Sequence, residues 1–178
     1  MTANPDRRLV RFGCVLALLV LLGGWRVQAA GPPPRAPDAQ FTVVDGSAHS
    51  TAELKGSPTL LWLLSTWCGS CAAGLDTLSR HADEIAKTDL RVVILRNYQN
   101  GGYPGAGIAQ FVARVIPRFQ VPDSWVLGQA SLELDRAYNG KHYPDIYFLI
   151  DRQGRIREVG GAPSATMDRI LHFARSSG

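Results

Sequence analysis

The feature that most constrains this chain is an apolar run, Thr59-Leu60-Leu61-Trp62-Leu63-Leu64, that leads into Trp67-Cys68-Gly69-Ser70-Cys71. A run without polar alternation suits a strand covered on both faces, as in a parallel sheet. Over residues 70–87, Leu75, Leu78, Ala82, Ile85 and Ala86 recur three or four apart, which predicts an amphipathic helix. Two cysteines therefore stand where a buried strand hands over to a helix start. The unpaired N–H groups there, at the positive end of the helix dipole, stabilise a thiolate on the first cysteine. Such a thiolate attacks disulfides, and the second cysteine resolves the mixed disulfide that forms.

The third cysteine, Cys14, lies in an N-terminal apolar run, so one pair is left for chemistry and there is no disulfide scaffold. Residues 1–11 carry Arg7, Arg8 and Arg11, residues 12–22 are apolar and uncharged, and Val27-Gln28-Ala29 offers compact residues to a signal peptidase. This is the pattern of an export segment. Residues 1–29 read either as a signal peptide cut after Ala29 or Ala30, or as a retained anchor, since residues 9–30 just reach the roughly 20 needed to span a bilayer. Arg7-Arg8 also fits a twin-arginine signal, although its flanks are poor for one. On either reading the domain is exported, to the periplasm or the outer face of the cytoplasmic membrane, and meets the membrane only through this segment. Residues 30–38 carry four prolines and form a stiff extended linker. Residues 39–178 form one domain.

The formal charge of +4 is local. Four of the 19 basic residues and one of the 15 acidic ones fall within residues 1–29, leaving 15 against 14 in the remainder. That balance argues against a nucleic-acid partner. Beyond the first helix the pattern predicts strands at 90–95, 124–127, 146–150 and 155–159, and helices at 108–116, 130–138 and 165–175. A short strand at 41–44 and a helical turn at 51–54 precede the apolar run. Alternating strands and helices followed by a hairpin and a helix point to an α/β sandwich on a small mixed sheet. Residues 97–107, rich in glycine, read as a flexible loop. No Gly-Lys-Ser/Thr follows them, so a phosphate loop is excluded.

Strand, Trp67-Cys-x-x-Cys71, helix, strand, helix, then Tyr143-Pro144-Asp145-Ile146-Tyr147-Phe148-Leu149-Ile150-Asp151 and Gly154, in that order, resemble the thioredoxin superfamily. Within it the chain is similar to the TlpA-like thiol–disulfide oxidoreductases of the bacterial envelope, over about residues 38–176. The resemblance implies a thioredoxin-like fold, a central mixed β-sheet flanked by helices, with an N-terminal strand extension and an insertion after residue 97. It implies Cys68 as the attacking thiol and Cys71 as the buried resolving thiol. Trp67 would pack beside them, and Gly69 and Ser70 would tune them. Pro144 would match the family's cis-proline, turning the backbone of Tyr143 toward the cysteines to pair with an extended substrate. No dissociable cofactor and no metal are implied. Partners would be protein dithiols and disulfides, with a membrane thiol–disulfide transporter as electron donor.

The sequence departs from the family pattern in places. Trp62 stands where thioredoxins carry a buried acid six residues before the first cysteine. Gly74, Leu75 and Asp76 replace the Glu-x-Pro of the branch that reduces apocytochrome c. Asp76 is either a replacement acid or a solvated helix residue. Ser70 either donates to the Cys68 sulfur or caps the helix. His49, His81, His142 and His172 are scattered, and structural zinc needs four ligands. His142, two residues before Pro144, is the one placed to approach the thiols. Tyr98 and Tyr103 are candidates for lining a substrate face. The alternative function is metal delivery, since copper-delivery proteins on this fold use Cys-x-x-x-Cys with a distal His; the spacing here is one residue short. A redox-inactive module and a peroxidase both fit a paired Cys-x-x-Cys poorly.

Overall fold

The computed structural model describes residues 31–177, and the expectations for the export segment lie outside these residues. The chain forms β1 (Gln40–Val43), β2 (Ala48–Ser50), β3 (Thr59–Leu64), α1 (Gly69–Arg80), α2 (Ala82–Ile85), β4 (Arg91–Arg96), α3 (Ile108–Val115), β5 (Trp125–Ala130), α4 (Leu132–Asn139), β6 (Asp145–Ile150), β7 (Ile156–Gly160) and α5 (Pro163–Ser176). Short 3-10 turns cover Thr51–Leu54 and Tyr98–Gly102. The seven strands make one mixed sheet in the order β2-β1-β5-β4-β3-β6-β7. Strand β3 is parallel to β4 and antiparallel to β6, with Leu64 opposite Asp145. Among the described residues no helix is long and apolar enough to cross a membrane.

All six residues of β3 are buried, because both faces of the sheet are covered. The two-residue period of a strand sends alternate side chains to opposite cores. Leu60, Trp62 and Leu64 join Leu75 and Leu78 of α1, Phe111 of α3 and Ile170 of α5. Leu61 and Leu63 join Phe41 of β1, Leu134 and Tyr138 of α4, and Phe148 of β6. This covering of both faces holds the carboxyl end of β3, and so Trp67 and Cys68, against a rigid base.

Two expectations are corrected. The helix expected over 70–87 is divided at His81, which leaves helical geometry at φ −100° and ψ 8°. Ala82 and Ile85 remain buried across the break, so the apolar spacing reads as continuous where the backbone is not. The glycine-rich stretch is a tied structure rather than a flexible loop. Gln99, Asn100 and Gly101 are successively left-handed, with φ of 47°, 58° and 69°. Asn100, wholly buried, receives the Thr66 N–H on its Oδ1 at 2.8 Å, and its Nδ2 donates to the carbonyls of Tyr103 and Pro104. A Cβ at Gly105 would lie 2.4 Å from Asn100 Nδ2 and 2.6 Å from Thr66 Oγ1, so glycine is needed there.

Candidate active site

Cys68 is itself the N-cap of α1, in extended conformation at φ −84° and ψ 121°. Its Sγ accepts the Cys71 N–H at 3.3 Å, so the sulfur takes the place a Ser or Asp oxygen usually fills at a helix start. That arrangement offers one backbone donor and the positive dipole end to a developing thiolate. Cys68 is 7% exposed and Cys71 0%; both are free thiols. Only the first sulfur is open to a partner. Burial pushes the Cys71 thiol well up, the bond to Cys68 adds to it, and the Asp145 carboxylate acts in the same direction. Cys71 Sγ donates to the Pro144 carbonyl at 3.2 Å.

Ser70 takes neither role expected of it, since Cys68 is itself the cap and the Ser70 hydroxyl is committed to Asp145. Its Oγ lies 3.1 Å from Cys68 Sγ and donates to Asp145 Oδ2 at 2.8 Å. Asp145 Oδ1 in turn accepts the Trp62 indole N–H at 2.8 Å. The acid absent from position 62 is thus present beside the pair, carried by β6 and held by the very tryptophan that replaces it. Cys68, Cys71 and Asp145 each bring one donor atom within 4.8 Å of the others. Asp145 follows Pro144 at the start of β6, and reading the sequence alone did not single it out. The signal was the β3–β6 pairing, which sets Asp145 across from Leu64.

Gly74 belongs to the same arrangement. A Cβ there would fall 3.0 Å from the Trp62 ring and 2.9 Å from Pro163 Cδ. The two departures at positions 62 and 74 are therefore one packing solution, in which the indole occupies the space a side chain at 74 would need. Asp76 lies on the exposed side of α1 and pairs with Arg80 at 2.9 Å.

The proline turn also differs from expectation. Among the described residues there is no cis peptide bond, so Tyr143–Pro144 is trans. His142, left-handed at φ 55°, makes the turn instead. Asn139 then holds both backbone groups of Tyr143: its Oδ1 accepts the Tyr143 N–H at 2.8 Å, and its Nδ2 donates to the Tyr143 carbonyl at 2.8 Å. Asn97 Nδ2 adds a second donor to that carbonyl at 3.2 Å. The backbone expected to pair with substrate is thus engaged internally. The Pro144 carbonyl still borders the pair, taking the Ser65 N–H as well as the Cys71 thiol. The His142 ring engages Asp135 at 3.4 Å. Trp67 is 47% exposed, donates to the Asn100 carbonyl at 2.9 Å and meets Tyr103 edge-on at 4.9 Å. Tyr143 and Tyr103 are exposed as well, at 47% and 61%.

A Cys-x-x-Cys pair at a helix start, on a mixed sheet with helices on both faces, defines a member of the thioredoxin superfamily. The Redoxin family model matches residues 31–170, and the chain belongs to that family. No curated protein sequence matches it. Among solved structures, the fold is similar to a Chlorobium tepidum protein named for the thiol:disulfide interchange protein DsbE, at 20% identity and a TM-score of 0.60, covering 80% of this chain and 96% of that one. It is also similar to a thioredoxin-like protein from Aeropyrum pernix, at 20% identity and a TM-score of 0.58, covering 76% and 88%. A third is copper-bound ScoI of Arabidopsis thaliana, at 15% identity and a TM-score of 0.55, covering 79% and 98%. At these identities the likeness is one of fold.

Proposed function

We propose that this protein is an exported thiol–disulfide oxidoreductase that exchanges disulfides with protein substrates. The observation that carries the reading is the asymmetry of the pair: Cys68 caps α1 and keeps 7% exposure, while Cys71 lies wholly buried behind it. Cys68 thiolate attacks one sulfur of a substrate disulfide, forming a mixed disulfide and releasing one substrate thiolate. Cys71 then attacks Cys68 Sγ, its proton passing to the substrate thiolate released in the first step; the bond from Cys68 to substrate breaks, the second thiolate leaves, and Cys68–Cys71 is left oxidised. Burial holds the Cys71 thiol protonated at rest, so only Cys68 is available as the first nucleophile. The electrons come from another dithiol protein, by family analogy a membrane thiol–disulfide transporter, and no dissociable cofactor takes part. Export rests on the basic and apolar pattern of residues 1–29.

The test is insulin-disulfide reduction by the full chain. Wild type reduces insulin, Cys68→Ser does not, and Cys71→Ser accumulates a mixed disulfide through Cys68. Full activity in Cys68→Ser would remove the assigned role. A second reading is supported by the grouping of Cys68, Cys71 and Asp145, whose two sulfurs and one carboxylate suit delivery of a soft cation such as Cu(I) as cargo. Stoichiometric copper binding by the reduced protein, without dithiol exchange, would favour it.

A further inference from the structure

We propose that Asp145 restrains the reactive cysteine: it takes the only hydroxyl proton of Ser70 and sets a carboxylate beside both sulfurs, so that the Cys68 sulfur lacks a hydroxyl donor and ionises beside a like charge. The inference deepens the oxidoreductase reading and rests on it for its biological meaning, although its chemistry is measured separately.

The argument is one of donors and acceptors. A carboxylate only accepts, and a serine hydroxyl has a single proton. Ser70 Oγ donates to Asp145 Oδ2 at 2.8 Å, so it has no proton left for Cys68 Sγ, 3.1 Å away. The contact between Ser70 and Cys68 therefore runs from the thiol to the hydroxyl, which favours S–H over S⁻. The charge of Asp145 acts the same way, since a like charge at this range opposes a second anion. Trp62 is the positioning residue. Its indole N–H fixes Oδ1 at 2.8 Å and turns Oδ2 toward Ser70. Gly74 leaves the indole room to do so.

Asp145→Asn reverses the chain of donors without changing its shape. Trp62 N–H still requires an acceptor, so the amide oxygen faces Trp62 and the amide nitrogen faces Ser70. The amide then donates to Ser70 Oγ, and the Ser70 hydroxyl turns its proton to Cys68. The negative charge is gone as well. Both changes favour the thiolate.

The experiment is alkylation of the reduced full chain with iodoacetamide at neutral pH, with peptide mass mapping to read each cysteine separately. The Cys68 thiolate forms the S–C bond and iodide leaves with the bonding pair. D145N is expected to alkylate Cys68 about tenfold faster than wild type, with Cys71 still protected as proof of a folded site. D145N/S70A is expected to keep about threefold of that gain, because the charge is removed but the freed hydroxyl is missing. S70A alone is expected to alkylate up to about threefold faster than wild type, since it removes an acceptor of the thiol proton and takes no donor from the sulfur. Two results overturn the inference: D145N at or below the wild-type rate with Cys71 protected, or a tenfold loss in S70A, which would show Ser70 donating to the sulfur. The S70A arm decides the matter even if D145N does not fold. A wild type that reduces no insulin while D145N gains in alkylation would remove the proposed function and leave the role of Asp145 standing. An active wild type with no gain in D145N would do the reverse.

Discussion

Two segments close on the cysteine pair, and they solve the same backbone problem in different ways. The turn at 97–107 passes through four left-handed residues and the turn at 139–145 through one, and each is held by a buried asparagine. In the first, Asn100 spends its side chain on the Thr66 N–H and on two carbonyls of its own turn, beneath Trp67. In the second, Asn139 grips both polar groups of Tyr143 and delivers Pro144 and Asp145 to the sulfurs. The first segment supports the strand end from which Cys68 projects. The second touches the reacting atoms. Scaffold and chemistry are thus divided between two turns that would look alike as loops.

That division is open to attack at several points, the largest effect first. Cys68→Ser is expected to abolish insulin reduction altogether with little change in melting temperature, which separates the chemical side from the scaffold. Asn100→Ala should do the opposite. It strands the buried Thr66 N–H, at a cost of about 1–3 kcal/mol for the unsatisfied group, with more for the carbonyls of its own turn. A fall in melting temperature of roughly 4–10 °C would follow, at about 2–4 °C per kcal/mol for a domain of this size. An unchanged melting temperature would mean that the turn is not held by Asn100. Tyr138, on the helix leading into the second turn, gives a pH test. Burial raises its phenol to about 12, and its hydroxyl donates to the Pro37 carbonyl at 2.6 Å. A raised acid binds its proton more tightly in the folded state, so its contribution is complete below pH 10 and is lost as pH rises from about 10 to 12. Two units correspond to about 2.7 kcal/mol as an upper figure. Tyr138→Phe should lack that step in a denaturation series across this range. The smallest effect is expected from Asp76→Asn, whose partner Arg80 is at the surface: within about 0.5 kcal/mol, and with unaltered Cys68 alkylation. A change in alkylation there would return Asp76 to the list of acids that serve the pair.

Much of this was legible in the sequence where the signal is local. The unbroken apolar run at 59–64 is β3, and Cys-x-x-Cys at a helix start needed no tertiary information. What escaped depends on contacts distant along the chain. The bond from Trp62 to Asp145 spans 83 residues and exists only because β6 pairs antiparallel with β3. The break at His81 leaves apolar spacing intact, so periodicity has nothing to register. The left-handed run at 99–102 rests on a buried amide whose partners lie at Thr66, Tyr103 and Pro104, and glycines nearby suggested mobility instead. The turn before Pro144 is built on Asn139 and a left-handed His142, neither of which carries a motif.

The contact between Trp62 and Gly74 also limits the routes by which this sequence can change. A smaller acidic side chain at 62 would leave a void against Gly74 and release Asp145, while any side chain added at 74 would collide with the indole and with Pro163. Neither step is neutral alone. Positions 62 and 74 are therefore coupled through one ring, and an acid at 62 is best accommodated when both change together.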